Sequence, residues 1–366
     1  MAKNSKLENS MDELLQLVQT TNDKIRELGV CDEILYRTLN CIQDQFNAIR
    51  GIPDDKKEKY EEIKNVCIAW KQHVDKINEN YIVTQKANIE LGAAGTAAGA
   101  GVALLGPTAA MGIATTFGVA STGTAIATLH GVAATNAALA WLGGGTLAAG
   151  GGGISAGSML LSLAGPVGWT IAGLTLISSA FLFWKAKSEK RRLEDIFLLV
   201  SERDKCSYEL ALVELNERIK QIKKENSNIL DAIKEISTFG TDYTSMTEEQ
   251  QYKLGTYLNL MNSSAQLLIN PILGLQPKCS ENMLNEISEY RSLRRWLSKD
   301  FIIYMANFLY EITTDESDWK LLSKSFRENE EFIQKMCFYK DKDNINSDLF
   351  YSLNKILMEL YSKTKK

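Results

Sequence analysis

The sequence predicts an all-α fold: an elongated antiparallel helical bundle, a central Gly/Ala-rich hydrophobic membrane hairpin and a C-terminal helical unit. Three observations predict it. Outside the centre, apolar residues recur at alternating spacings of three and four, the period of a helix seam, and strand-like alternation is nearly absent. Residues 91–184, 94 in all, contain no Asp, Glu, Lys or Arg, so the remaining chain carries all 41 basic and 45 acidic residues. Only 5 prolines interrupt 366 residues, which leaves room for very long helices.

The first seam runs Leu7, Met11, Leu14, Val18, Thr21, Ile25 and Leu28, with Gly29 as a candidate break. It resumes at Leu35, Leu39, Ile42, Phe46 and Ile49, and Gly51-Ile52-Pro53 stops it, because proline cannot donate the next backbone bond. A second helix starts at Asp54-Asp55, where acidic side chains complement the helix dipole. Its seam is Tyr60, Ile63, Cys67, Trp70, Val74, Ile77 and Tyr81, and polar Thr84 and Asn88 carry the register to Glu90.

The segment 91–184 comes next, holding 20 of the 25 glycines. A charge-free stretch of this length accommodates two to four spans of about 20 residues. The best span is Met159–Trp184, and Leu91 to about Ala120 is a second. Glycine costs about 1 kcal/mol relative to alanine in a helix. Its abundance therefore points to close backbone approach between helices, as in Gly95-x-x-x-Gly99 and Gly153-x-x-x-Gly157. Leu160, Leu161, Phe181 and Phe183 supply the apolar surface for insertion. Trp184, Lys185 and Lys187 form an interfacial anchor.

Beyond it, no Gly or Pro occurs from Lys185 to Phe239. The seam is Tyr208, Leu212, Leu215, Ile219, Ile222, Asn226, Ile229, Ile233 and Ile236. This helix is expected to pair antiparallel with 54–90, so that the hairpin leaves and returns on one side in an even number of passes. After Gly240, Thr247 and Gln250 form a capping box for a helix to about Leu268, and helices fit 280–313, 316–339 and 345–363. The domain reading is thus 1–90 amphipathic helices, 91–184 membrane-inserting segment, 185–240 long helix and 241–366 C-terminal unit.

Composition removes several function classes. The two histidines, His73 and His130, lie far from any nucleophile motif, and the closest of six cysteines are ten residues apart, so no C-x-x-C metal or redox motif exists. No phosphate-binding G-x-x-x-x-G-K-[ST] occurs, and no G-x-G-x-x-G follows a strand. No enzyme, cofactor or metal is expected. A net charge of −4 argues against a nucleic-acid partner. Arg291, Arg294 and Arg295 read either as a solvated helix face or as a phosphate headgroup contact. Lys3 and Lys6 are not followed by an apolar core, so a soluble cytoplasmic form without a secretory leader is expected, converting to a membrane-associated one and released, if at all, by a leaderless route.

Long amphipathic helices flanking a central apolar hairpin resemble the α-helical pore-forming toxins of the cytolysin A and tripartite enterotoxin type. The likeness covers the architecture of roughly residues 1–240, not a sequence motif. The apolar segment here is longer than the usual tongue, and 245–366 has no obvious counterpart in the simplest members. The Gly/Ala-rich hairpin is also similar in style to those of colicin pore domains and apolipoprotein L proteins. The resemblance implies a membrane-permeabilising protein, a toxin or an intracellular defence effector. Such a protein inserts a sheltered hairpin into a lipid bilayer and assembles as a homo-oligomer, alone or with other protein components. The competing reading is a constitutive membrane-anchored helical scaffold or adaptor.

Overall fold

The computed structural model describes residues 6–90, 107–117, 190–276, 278–279, 281–297, 299–328 and 346–364. Every regular element among them is helical, and the one extended pairing is an isolated parallel bridge between Arg50 and Asp242. The all-α expectation holds.

Helix α1 (Lys6–Ala48) is continuous through Gly29, so that glycine does not break it. Gly51 takes a positive φ of 71°, a conformation that suits glycine, and Pro53 then starts α2 (Asp54–Glu90). The two helices run antiparallel. The Tyr60 hydroxyl donates to Gln43 O (3.1 Å) and Asn47 Oδ1 (2.8 Å). Rings pair at Phe46–Tyr60 (5.8 Å) and Tyr36–Trp70 (5.3 Å). The seam positions from Tyr60 to Ile77 are all buried. Leu14, Thr21, Ile25, Leu28, Leu35, Leu39, Ile42, Phe46 and Ile49 are likewise buried on α1.

A short helix, α3 (Pro107–Phe117), lies inside the charge-free segment. The long helix comes next as α4 (Lys190–Ile236), and α5 (Glu248–Ile269) returns beside it behind the expected Thr247/Gln250 capping box. The long partner of α4 is α1 rather than α2. The two run parallel, joined by Ser10–Ser201 (2.6 Å), Glu13–Lys205 (2.5 Å) and Glu27–Lys223 (2.8 Å) at a near-constant offset of 191 to 196 residues. The Arg50–Asp242 bridge ends this parallel pair.

Helix α2 packs instead on α3 and on α5, through Lys59 Nζ donating to Asn259 Oδ1 (2.6 Å). A seam fixes which face of a helix is apolar but not which neighbour covers it, and α1 and α4, at 43 and 47 residues, match in length. Helices α2 and α4 still run in opposite directions. Helix α5 therefore belongs to the bundle, and the C-terminal unit starts after it.

Because α1 and α4 are parallel and α2 is antiparallel, Glu90 and Lys190 both lie at the same end of the bundle. From the rungs above, Lys190 extends roughly 25 Å further along the axis than Glu90.

The C-terminal unit comprises α6 (Glu281–Asn285), α7 (Ser288–Leu293), α8 (Lys299–Leu309), α9 (Glu316–Glu328) and α10 (Ser347–Thr364). The helix expected over 280–313 is thus divided into three. Its core is an aromatic chain, Phe308–Phe326–Phe350, that continues onto α4 at Phe197 (Phe197–Phe308 6.0 Å). Two guanidinium groups fix the unit to the first half of α4. Arg192 binds both carboxyl oxygens of buried Asp318 at 2.7 Å. Arg203 donates to the carbonyls of Asn307 (3.1 Å), Phe308 (3.2 Å) and Tyr310 (2.5 Å) around the end of α8.

Among the described residues no helix is long and apolar enough to cross a membrane. Apart from 107–117, the expected membrane hairpin over 91–184 lies outside the described residues.

Candidate functional site

Of the charge-free segment, α3 is the part that the structure places. Ala110 to Thr116 are seven consecutive buried residues, two full turns with no solvent face. A helix apolar or neutral all round is stable in water only where neighbours cover every side. Here α1, α2 and α5 do so.

The closest approach is between α1 and α3. A Cβ on Gly29 would lie 1.9 Å from Thr108 O, and one on Gly112 would lie 2.1 Å from Ile25 O. Two glycines facing each other thus let the backbones touch, which no other residue type allows. Opposite this crossing, Trp70 of α2 donates its indole N–H to Thr115 Oγ1 (3.1 Å) from a fully buried position. The end of α3 is capped from the loop after α5. Ile272 N–H (2.8 Å) and the Gln276 side-chain amide (3.3 Å) both donate to Thr116 O. That loop is pinned to α4, because a Cβ on Gly274 would meet Ala211 N at 2.6 Å and Ser207 O at 2.7 Å, and Gly274 N–H donates to Glu214 Oε2 (3.2 Å).

One group in this shelter is costly. Asp32 on α1 is fully buried, and no hydrogen bond of ordinary length and angle reaches either carboxyl oxygen, although the Thr115 hydroxyl lies beside it. Burial pushes its pKa well above the usual carboxylate range. The neighbouring Thr115 hydroxyl and the Arg218 guanidinium pull the other way without cancelling that effect. Burial in turn lowers the Arg218 pKa against the attraction of Asp32 and Glu214. Arg218 Nη1 donates to Leu267 O (2.6 Å) and Asn270 O (2.8 Å), closing the end of α5.

The residues singled out from sequence for insertion and packing, Gly95, Gly99, Gly153, Gly157, Leu160, Leu161, Phe181 and Phe183, lie outside the described residues. So do the anchor residues Trp184, Lys185 and Lys187, and His130. The glycines that do bring helices together are Gly29, which sequence reading took as a helix break, and Gly112, which it passed over. The available signal was Thr108-x-x-x-Gly112-x-x-x-Thr116, a small-residue row along one helix face. Asp32 carried no signal, since its burial depends on α3 docking over it. Among the described residues no group of His, Cys, Asp or Glu is arranged to hold a metal ion.

No family model, no characterised protein and no solved structure matches this chain, so the site must be read from its own chemistry.

Proposed function

We propose that the protein permeabilises membranes by conditional insertion of its charge-free segment, followed by self-assembly. The observation that carries this reading is α3. Two turns drawn from a 94-residue stretch without charge are enclosed on every side by amphipathic helices. A constitutive anchor would have no need to fold part of its apolar segment into a water-facing bundle. The common end of Glu90 and Lys190 also supports an excursion that leaves and returns on one side, with an even number of passes. The bilayer is the substrate, and the assembly is a homo-oligomer.

The test is dye release from liposomes by the full-length chain. The disabling variant must leave α3 intact, since α3 is part of the core. Ile171→Arg with Leu174→Arg places two cations near the middle of the best candidate span, Met159–Trp184, at about 2.5–3.5 kcal/mol each at the centre of a membrane helix. Release by the wild type and its loss in this variant, with helicity retained, is the expected result. Equal release by both would remove the segment from the mechanism.

A further inference from the structure

The C-terminal unit carries a surface that the bundle does not explain. The chain from Ser288 to Leu297 is anchored at both ends, with Tyr290 fully buried and Leu297 nearly so. Backbone bonds hold the intervening turn: Arg294 N–H to Tyr290 O (3.0 Å), Arg295 N–H to Ser292 O (3.2 Å) and Trp296 N–H to Leu293 O (3.0 Å). On this fixed turn Trp296 is 71% exposed, and Arg291, Arg294 and Arg295 are exposed around it. Arg294 also lies 5.9 Å from the Tyr290 ring centroid. On this stretch Glu289 accepts a hydrogen bond from Ser352 (2.7 Å) on α10, and Glu286 is exposed.

We propose that the turn formed by Arg291, Arg294, Arg295 and Trp296 docks the protein on bilayers bearing anionic headgroups. An indole left in water is unfavourable, and its amphipathic ring settles at the headgroup level of a bilayer. Guanidinium groups bind phosphate bidentately, and each basic residue near an anionic membrane strengthens attachment about fivefold. A chain of net charge −4 with three clustered arginines suits a two-dimensional anionic layer better than a polynucleotide, which needs a longer basic track. The unit bearing this turn is fixed by Arg192 and Arg203 to the first half of α4. It therefore rides on the end of the bundle from which the charge-free segment departs. The proposal takes its meaning from the membrane reading above, but its measurement is separate.

The experiment is co-sedimentation of the full-length chain with phosphatidylcholine vesicles, with and without about one-third phosphatidylserine. Anionic vesicles should bind more protein than neutral ones. Arg294→Gln with Arg295→Gln should weaken binding to the anionic vesicles about 25-fold, at fivefold per arginine. Trp296→Ala should weaken binding to both compositions. All three residues are exposed, so circular dichroism should show unchanged folding. Where vesicles are in excess and all protein is bound, dye release by these variants should match the wild type. Binding unaffected by the substitutions, or equal on both compositions, overturns the proposal. So does arginine-dependent binding to a single-stranded oligonucleotide without preference between vesicles, which would assign the turn to nucleic acid. Trp296-dependent anionic binding without dye release leaves this inference standing and removes the pore reading instead.

Discussion

The contact between Gly29 and Gly112 is the sharpest constraint on the sheltered helix, and Gly29→Ala tests it. The new methyl carbon would sit 1.9 Å from Thr108 O and 2.8 Å from Gly112 N, both backbone atoms that no rotamer change can move. Real contacts of this kind stay beyond about 3.0 Å, so α1 and α3 must part by about 1 Å along that line. A gap of that size forfeits a quarter to a half of each dispersion contact across the crossing. Overpacking of a core costs about 1–3 kcal/mol, and rigid backbone puts this site at the upper end. Alanine returns about 1 kcal/mol through helix propensity. The net, about 2 kcal/mol, raises the population with α3 undocked about 30-fold. The assay is native-state hydrogen exchange of the amides of Ala110 to Thr116, whose protection should fall by that factor. Gly112→Ala should act similarly, and the double variant should cost less than the sum, because one separation relieves both clashes. Gly255→Ala is the control. It is the same exchange inside α5, where the nearest atom, Lys56 Cε, is 3.7 Å away, and it should stabilise by up to about 1 kcal/mol. Unchanged protection in Gly29→Ala would refute the reasoning that backbone contact at this crossing holds α3 in place.

Asp32→Asn should stabilise the fold increasingly as pH rises. The carboxyl pKa is raised on folding, so the unfolded chain loses its proton near pH 4 while the folded chain keeps it. Native stability therefore falls above that pH by about 1.4 kcal/mol per unit until the folded pKa is reached, and denaturant titrations from pH 4 upward should show the wild-type slope flatten in the variant. Arg192→Ala leaves Asp318 buried with only the Asp315 N–H (3.0 Å) among the partners described for it. It should destabilise docking of the C-terminal unit by about 2 kcal/mol, seen as an earlier calorimetric transition, and an unchanged scan would show that the Arg203 tie suffices. Thr247→Ala should cost about 1 kcal/mol by removing the capping box of α5, measured by urea denaturation.

Periodicity made the helices legible, and capping chemistry made their ends legible. Asp54-Asp55, Gly51 and Thr247/Gln250 stand where the sequence puts them, and the seam from Tyr60 to Ile77 is buried throughout. Partner choice was not legible, because a seam looks the same whichever apolar face covers it. The parallel α1–α4 pairing depends instead on scattered rungs such as Ser10–Ser201, some 190 residues apart. The stretch 280–313 reads as one helix because it contains neither Gly nor Pro. Its division stems from Asn307, whose buried amide donates to Cys279 O (2.9 Å) and whose carbonyl accepts from Cys279 N–H (2.9 Å), folding the chain back on itself. Within the charge-free segment composition gave the solvent preference of the whole but no register, so it could not single out Gly112 or the two turns that dock.

The enclosure of α3 makes its release a two-sided event. Removing a buried helix uncovers two apolar surfaces, not one: the helix itself, and the slot left between α1, α2 and α5. Met111 and Ile113 each give up roughly 2–3 kcal/mol of burial, and the slot loses a comparable cover. The emptied slot cannot accompany the helix into a bilayer, because α1, α2 and α5 are charged on their other faces. It remains in water as a groove shaped for an apolar helix. Departure is therefore uphill for an isolated chain unless something else fills the vacancy. An apolar helix face from a neighbouring copy has the required chemistry. On the proposed membrane reading, release and assembly would be coupled through one slot, since the residues that enclose α3 would become the uncovered surface that favours association.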